Sequence, residues 1–187
     1  MEFISEKSIA FQGEYGAFSE AAAFDLFGEN AKVQPSASFR DVFDRVNNGE
    51  CEYGVVPVEN TLGGAVYQIP DLLTEYKPTI VGEIKLKIEQ CLISNKGATL
   101  SEIEKIYTHY QPARQCKNFL EKHAWVIEDA NDTAGSVKII KEKGDRRLAA
   151  IASERAAELY DMQILQKGIQ DSSENYTRFI AFTKALS

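Results

Sequence analysis

Residues 80–94 read IVGEIKLKIEQCLIS, and this stretch decides the fold. In its centre, residues 84–89 read IKLKIE, so apolar and charged side chains alternate with a period of two. This pattern predicts one long, half-exposed strand that carries the chain from one lobe to another. Residues 177–183 are the matching candidate for a strand that returns. We therefore predict two α/β lobes, with a boundary near residues 77–82 and a small-molecule site in the cleft between them.

On both sides of this strand, short apolar runs alternate with helical patterns. Such alternation favours an α/β fold with mostly parallel strands. Besides the run at 80–94, the predicted strands are residues 8–11, 31–34, 53–57, 105–108, 124–128, 148–152, 163–166 and 177–183. The predicted helices are residues 18–27, 39–47, 66–75, 112–122, 133–143 and 154–160. The predicted domains are residues 1–80 for the first lobe, 81–182 for the second lobe with the return strand, and 183–187 for a C-terminal tail.

The composition is that of an ordinary globular protein, with 187 residues, of which 44% are hydrophobic and 26% are charged. A chain of this size buries a core without metals or disulfides. The formal net charge of -7 argues against nucleic-acid binding, which needs a basic surface. The same charge repels an anionic substrate. Any anion site must therefore be built locally, from a few Arg or Lys side chains and from helix N-termini.

The three cysteines, Cys51, Cys91 and Cys116, are odd in number, and no two have metal-ligand spacing. We therefore expect reduced thiols in a cytoplasmic protein, without a disulfide or a zinc site. No apolar run approaches ~18 residues, and residues 1–8 lack the apolar core of a signal peptide. We expect no membrane segment.

Five polar clusters lie where a predicted strand ends or a predicted helix begins, which is where open α/β sheets bind ligands. The first, residues 13–19 (GEYGAFS), joins a glycine turn to a helix start, where Ser19 is either a cap or a ligand. The second, residues 57–64 (PVENTLGG), offers Asn60 and Thr61 to a carboxylate or hydroxyl, or forms a capped turn.

The third cluster, residues 108–112 (THYQP), contains one of two histidines. His109 titrates near pH 7 and is either a proton donor or a hydrogen-bonded structural residue. Pro112 suits the first position of the helix that follows.

In the fourth cluster, residues 131–136 (NDTAGS), Asn131 or Asp132 caps a helix whose free N–H groups also suit a carboxylate. In the fifth, residues 171–179 (DSSENYTRF), Arg178 either grips a carboxylate ligand or pairs with an internal Asp or Glu. The sequence has neither a Gly-x-Ser-x-Gly elbow nor a Gly-x-Gly-x-x-Gly fingerprint. It therefore suits binding and orienting a small polar molecule better than covalent attack.

Taken together and in order, the five clusters resemble the prephenate dehydratase family from about residue 9 to residue 182. The family patterns are Phe-Gln-Gly-x-x-Gly-Ala-x-Ser, Pro-Val/Ile-Glu-Asn-Ser-x-x-Gly, Ser-His-Pro-Gln-Ala with a downstream Gln-Cys, Asp-Thr-Ala and Asn-x-Thr-Arg-Phe. In this sequence they fall at residues 11–19, 57–64, 108–116, 132–134 and 175–179. The sequence departs from them with Thr61 for the usual Ser and Tyr110 for the usual Pro.

The resemblance implies conversion of prephenate to phenylpyruvate, carbon dioxide and water in phenylalanine biosynthesis, without a cofactor or metal. It implies a fold similar to that of type II periplasmic binding proteins. Thr177 is then the favoured catalytic residue, as a hydrogen-bond donor to the leaving hydroxyl, and His109 is the candidate for a full proton transfer. The substrate-binding candidates are Arg178, Asn60, Thr61, Gly64, Ser19, Gln111, Thr133, Ala134, Asn175 and Phe179. Among these, Arg178 is expected to hold the side-chain carboxylate of the substrate.

The resemblance also implies a homodimer whose ligand is the small-molecule substrate, and the charge and the apolar runs argue against nucleic acid and membrane as partners. Most family members continue into a regulatory ACT domain that binds phenylalanine, whereas this chain ends at Ser187, so phenylalanine feedback is not implied. Two alternatives stay open. One is an arogenate dehydratase, which acts on the amino-acid form of the substrate, and the other is a non-catalytic two-lobed binding module.

Overall fold

The computed structural model describes residues 7–130 and 132–185 of the chain. These residues divide into two compact units, each with its own β-sheet. The first unit consists of residues 7–13, 18–86 and 176–185, and the second of residues 14–17, 87–130 and 132–175.

The first unit is built on a six-stranded mixed sheet with helices against both faces. Its elements are β1 (Ser8–Gln12), α1 (Phe18–Phe27), β2 (Lys32–Ser36), α2 (Phe39–Asn47), β3 (Tyr53–Asn60), β4 (Gly64–Ala65), α3 (Ile69–Tyr76), β5 (Thr79–Lys87) and β11 (Tyr176–Thr183). The strand order is β2-β1-β3-β11-β5, and β4 pairs with the end of β3. β1 is parallel to β2 and β3, whereas β11 is antiparallel to β3. Alternate β11 residues enter two cores, one against α1 and one against α2 and α3.

The second unit is built on a five-stranded mixed sheet. Its elements are β6 (Cys91–Ser94), a 3-10 turn (Leu100–Glu102), β7 (Lys105–Thr108), α4 (Tyr110–Gln115), α5 (Lys117–Leu120), β8 (Val126–Asp129), α6 (Thr133–Lys143), β9 (Leu148–Ala152), α7 (Glu154–Leu159) and β10 (Gln163–Lys167). The strand order is β10-β6-β9-β7-β8, with β7 parallel to β8 and β9 and β6 antiparallel to β9 and β10. None of the helices among the described residues has the length and apolar character that a membrane crossing requires.

The predicted α/β class with two lobes is confirmed, but the sheets are mixed and not mostly parallel, because β4 and β11 are antiparallel to β3, and β6 is antiparallel to β9 and β10. The domain boundaries also differ from the predicted residues 1–80, 81–182 and 183–187. β5 stays with the first unit as far as Leu86. β11 also belongs to the first unit, because its residues 177–182 pair with β3 and only Thr183 of the predicted tail extends it. Residues 186 and 187 of that tail lie outside the described part of the chain.

The single strand predicted over residues 80–94 is wrong, because β5 and β6 belong to different sheets. Between them, Ile88 donates its backbone N–H to the carbonyl of Asn175, and Gln90 donates its own to the side chain of Gln170. Ile88 is buried although it lies just after the end of β5. The period-two pattern of the sequence therefore continues past the end of the strand and gives no sign of the break.

The helix predicted over residues 112–122 is two short helices, α4 and α5, separated at Cys116. The backbone at Cys116 lies outside the helical region, with φ -111° and ψ 21°. α4 begins at Tyr110 after His109, so Pro112 occupies its third position and not its first. A proline is tolerated there, because the first turn of a helix has no intrahelical acceptors for its N–H groups.

Candidate active site

Asn60, at the end of β3, fixes the hydroxyl of Thr177 on the neighbouring strand. Its Nδ2 donates to Thr177 Oγ1 at 2.9 Å and to the carbonyl of Tyr176 at 3.1 Å. Its Oδ1 accepts the backbone N–H groups of Leu62 and Gly63, both at 2.9 Å. The two N–H groups at Oδ1 fix which end of the amide faces Thr177. Because the Nδ2 group that faces it can only donate, Thr177 Oγ1 is the acceptor in this pair. The O–H of Thr177, whose residue is 8% exposed, is left to donate elsewhere.

Thr61 and Gly64 belong to the same local structure. Thr61 Oγ1 accepts the backbone N–H of Tyr176 at 2.9 Å, and the Thr61 N–H donates to the Tyr176 carbonyl at 2.9 Å. Gly64 pairs with Asn60 across the turn between β3 and β4, and its φ of 73° favours glycine. A serine at position 61 would make the same side-chain bond, so the departure from the family pattern keeps this contact.

Arg178 lies on the opposite face of the sheet from Thr177. Its Nη1 is 3.3 Å from Glu83 Oε2, and its Nε is 3.8 Å from Glu59 Oε2. These contacts are internal carboxylate partners, as in one of the two interpretations of Arg178 in the sequence, and the binding of a ligand carboxylate stays a prediction. The structure therefore does not bring the side chains of Thr177 and Arg178 together.

Two further candidates of the first unit, Phe179 and Ser19, are buried. Phe179 is in the core against α1 with Ile9 and Val55. Ser19 is the second residue of α1. It is therefore not the N-cap, which is the residue that precedes the first residue of a helix. Neither position by itself indicates a contact with a ligand.

In the second unit, His109 caps the start of α4. Its Nδ1 accepts the backbone N–H of Gln111 at 3.4 Å, so this nitrogen carries no proton and the proton of the neutral ring is on Nε2. Burial lowers the pKa of His109 below its ordinary value, and the nearby Asp129 and Asp132 oppose that shift only in part. His109 is therefore neutral near pH 7.

Asn175 is fully buried in a group of amide side chains that sequence reasoning missed. Its Nδ2 donates to Gln115 Oε1 at 2.9 Å, and Gln90 Nε2 donates to the same oxygen at 3.2 Å. Gln115 precedes Cys116 in the Gln-Cys pair of the third family pattern, which is the signal that could have found it. Gln90 lies in no cluster, and only the fold places it there.

Thr133 and Ala134 are the first two residues of α6, as the sequence predicts. Asp132 is the cap and accepts the N–H of Gly135 at 2.6 Å. The alternative cap, Asn131, lies outside the described residues.

The glycine loop at residues 14–17 belongs to the second unit and lies close to the start of α7. Gly16 has φ 93°, and a Cβ atom there would lie 2.8 Å from Ala156 Cα. Ser153, which caps α7, donates its hydroxyl to the Gly16 carbonyl at 2.7 Å and accepts the N–H of Ala156. The loop therefore requires glycine at position 16 on both conformational and steric grounds.

The candidates thus form separate groups within the units. The first unit brings together Asn60, Thr61, Gly64 and Thr177, with Arg178 on the reverse face of the sheet. The second unit has His109 and Gln111 at α4, Thr133 and Ala134 at α6, and Asn175 against Gln115. Among residues 7–130 and 132–185, no group of three or more His, Cys, Asp or Glu side chains is arranged to hold a metal ion.

The fold and the order of the sequence motifs point to one protein family. The chain belongs to the prephenate dehydratase family, whose family model matches residues 9–186. It is 37% identical to an arogenate dehydratase/prephenate dehydratase from Arabidopsis thaliana, an alignment that covers 96% of this chain and 47% of that protein. It is 35% identical to a bifunctional chorismate mutase/prephenate dehydratase from Escherichia coli. That alignment covers 94% of this chain and 47% of the Escherichia coli protein. The chain therefore spans about half the length of these relatives.

Solved structures with a similar fold include a member of this family. A prephenate dehydratase from Arthrobacter aurescens in complex with L-Phe is 28% identical, with a TM-score of 0.88 over 96% of this chain and 61% of that one. A protein described as GqqA, a novel type of quorum quenching acylase, is 31% identical, with a TM-score of 0.86 over 97% of this chain and 65% of that one. A nutrient binding protein from Burkholderia cenocepacia, 13% identical with a TM-score of 0.50 over 94% of this chain and 84% of that one, shares the fold alone.

Proposed function

We propose that this chain carries the catalytic part of a dehydratase that converts prephenate to phenylpyruvate, carbon dioxide and water. Membership of the prephenate dehydratase family supports the reaction. The 2.9 Å hydrogen bond from Asn60 to Thr177 supports the choice of residue, because it holds one hydroxyl in a fixed direction with its proton free to donate.

The reaction breaks two bonds of the substrate. The C–C bond to the ring carboxylate breaks, its electron pair enters the ring, and the carboxylate leaves as carbon dioxide. The C–O bond to the ring hydroxyl breaks, and the oxygen leaves with the electron pair of that C–O bond and gains one proton to become water. Because the product ring is aromatic, the reaction lies far downhill. The enzyme therefore has to hold the substrate and to stabilise negative charge on the leaving oxygen.

Thr177 is the group that we assign to the leaving oxygen. An aliphatic hydroxyl is a very weak acid, so Thr177 acts as a hydrogen-bond donor and not as a source of a full proton. A donor that is already oriented needs no reorganisation as charge develops. Asn60 supplies that orientation and is a positioning residue in this scheme.

His109 is the sequence candidate for full proton transfer, but its lowered pKa weakens that role. A neutral imidazole near pH 7 has no imidazolium proton to give. We therefore propose that solvent supplies the proton that completes the departing water. The candidates Gln111, Thr133, Ala134 and Asn175, all in the second unit, stay predictions as substrate ligands.

The test is turnover of prephenate by the purified chain, followed as formation of phenylpyruvate against a control without enzyme. Thr177→Val removes the hydroxyl and keeps the shape, and we expect it to lower kcat by about a hundredfold, which corresponds to the ~3 kcal/mol of one oriented donor. Thr177→Ser, the matched control, keeps the hydroxyl and most of the activity. Wild-type turnover in the Thr177→Val variant would show that another group serves the leaving oxygen.

Arogenate is the second candidate substrate, because the name of the Arabidopsis relative includes both activities. Arogenate has an ammonium group where prephenate has a keto group, and the leaving groups are the same. The ratio of kcat/KM for the two substrates, measured on the same preparation, decides between them. If neither substrate is turned over, the non-catalytic binding module becomes the better proposal. The cytoplasmic location and the homodimer stay predictions.

A further inference from the structure

Three neighbouring strands of the first unit carry a row of charged side chains on one face. Arg178, on β11, lies between Glu59 on β3 and Glu83 on β5, at 3.8 Å and 3.3 Å. All three side chains are about half exposed, with relative accessibilities of 45% for Arg178, 59% for Glu59 and 64% for Glu83. We call this row the Glu59–Arg178–Glu83 ladder. Its cation is shared between two carboxylates of the protein itself.

The alternation along β11 places the ladder on the face opposite Thr177. Phe179 and Ala181 pack into the core against α1, whereas Ile180 and Phe182 pack into the core against α2 and α3. Since successive strand residues point to opposite faces, Thr177 shares the face of Phe179, and Arg178 shares the other.

Neighbouring side chains support this assignment. On β5, Ile84 and Leu86 pack on the core against α1, so Glu83 and Lys85 point to the reverse face. Lys85 Nζ lies 4.7 Å from the centre of the Tyr176 ring, two residues before Arg178 on β11. The two contacts, Lys85 with Tyr176 and Glu83 with Arg178, therefore belong to the same face.

A β-bulge in β3 makes the ladder and the Asn60 contact possible together. The register pairs Pro57 with Phe179 and Glu59 with Arg178, so Val58 is an extra residue on β3. This insertion breaks the alternation of β3. It turns Glu59 to the face of Arg178 and Asn60 to the face of Thr177. Bulges weaken local pairing, so the strands near this point need other contacts to stay in register.

We propose that Arg178 is a positioning residue and not a substrate ligand. Together with Glu59 and Glu83 it holds β3, β11 and β5 in register at the bulge. It thereby fixes the distance between Asn60 and Thr177 on the opposite face. This inference rests on the proposed function of Thr177. It replaces the sequence expectation that Arg178 grips a carboxylate of the substrate.

The two roles predict different kinetics for Arg178→Met. As a positioning residue, Arg178 acts through half-exposed ion pairs, so we expect kcat to fall by about fivefold with KM nearly unchanged. As a substrate ligand, it would make a charged hydrogen bond to a carboxylate, and its loss would raise KM by about tenfold to a hundredfold.

Glu83→Gln gives the sharper contrast. The ladder predicts a fall in kcat that resembles that of Arg178→Met, since the same register contact is lost. A substrate ligand freed from one of its internal carboxylates would instead bind the anion more tightly and lower KM. A lower KM in Glu83→Gln, or a large rise in KM in Arg178→Met, would overturn the proposal.

The control is Arg40→Met, which removes an exposed bidentate pair with Glu75 between α2 and α3 of the same unit. We expect both kcat and KM of this variant to match wild type. If Arg178→Met does not fold, Glu59→Gln and Glu83→Gln carry the test, because each keeps the arginine.

A measurement without turnover separates this inference from the proposed function. Amide hydrogen exchange at residues 176–179 should accelerate about fivefold in both Arg178→Met and Glu83→Gln, and no further in the double variant. Unchanged exchange in the single variants would refute the ladder even in an active enzyme. Accelerated exchange in a chain that turns over neither substrate would keep the ladder and reject the dehydratase.

Discussion

At the residue scale, the direction of one hydrogen bond decides what Thr177 can do. Asn60 donates to Thr177 Oγ1, so the threonine proton points away from Asn60. In Asn60→Asp the group next to Thr177 becomes a carboxylate, which accepts that proton and turns the donor away from the substrate. We expect kcat to fall by about a hundredfold, as for loss of the hydroxyl itself.

The same variant allows a second comparison. Because Asn60 acts through Thr177, combining Asn60→Asp with Thr177→Val should lower kcat no further than either change alone. Multiplication of the two losses would mean that Asn60 contacts the substrate independently. Thr61→Ser is the nearby control, since it keeps the hydroxyl that accepts the Tyr176 N–H, and its activity should stay at the wild-type level.

A second residue-scale prediction concerns His109 and the pH dependence of stability. Its pKa in the folded protein lies below the ordinary value of about 6.5, which the unfolded chain keeps. The unfolded chain therefore binds the proton more readily. Stability should fall as the pH drops through about 6.5 and level off below the pKa of the folded state. We expect denaturant titrations of His109→Gln to lack this fall, and a curve parallel to wild type would contradict the assignment.

The sequence predicts part of this site and fails at one identifiable step. The structure brings together Asn60 and Thr61, which the sequence names from a strand end, and Thr177, which it names from the resemblance to the family. The pairing of Arg178 with Glu59 is not predicted, because the bulge in β3 that turns Glu59 to the face of Arg178 has no signature in the local sequence. Gln115 and Asn175 meet only through the fold, since 60 residues separate them in the chain.

At the element scale, the apolar patterns predict the helices and strands well but not their sheet membership. The run at 80–94 continues its alternation across the break, so β5 and β6 look like one strand. β11 looks like part of the second lobe by its place in the chain, and only its pairing with β3 assigns it to the first unit. Pairing between distant segments is a tertiary property, and a local pattern contains no information about it.

An element-scale prediction concerns the glycine loop that precedes α1. Gly16→Ala adds a Cβ 2.8 Å from Ala156 Cα at a position with φ 93°. We expect a loss of about 1–2 kcal/mol from the left-handed backbone, with about 1–3 kcal/mol more from overpacking. Urea titrations followed by the fluorescence of Trp125, the single tryptophan, measure this on the second unit.

Gly144→Ala is the matched control for that loss, because Gly144 also belongs to the second unit. Gly144 has φ 64° and no atom within 4 Å of its added Cβ, so it reports backbone strain without a steric contact. If the two variants lose equal stability, the close approach of Gly16 to Ala156 contributes nothing.

At the scale of the whole molecule, each unit has its own core, and the three cysteines report on both. Cys51 lies in a core cluster of the first unit, and Cys116 lies in the core cluster of the second, where Cys91 is also buried. Burial raises the pKa of Cys91 to about 11 and that of Cys116 to about 12. Their thiols are therefore protonated and inaccessible at pH 8, where a reactive cysteine would be a thiolate.

We predict that an aromatic disulfide reagent at pH 8 modifies none of the three thiols rapidly in the folded protein and all three in denaturant. At intermediate urea, labelling requires unfolding of the surrounding core. Because the first unit and the second have separate cores, Cys51 should then react at a rate different from that of Cys91 and Cys116. Mass spectrometry of digested samples gives the rate at each site, and Cys51→Ala identifies the signal of the first unit. A single shared rate for all three would show that the two units unfold as one cooperative structure.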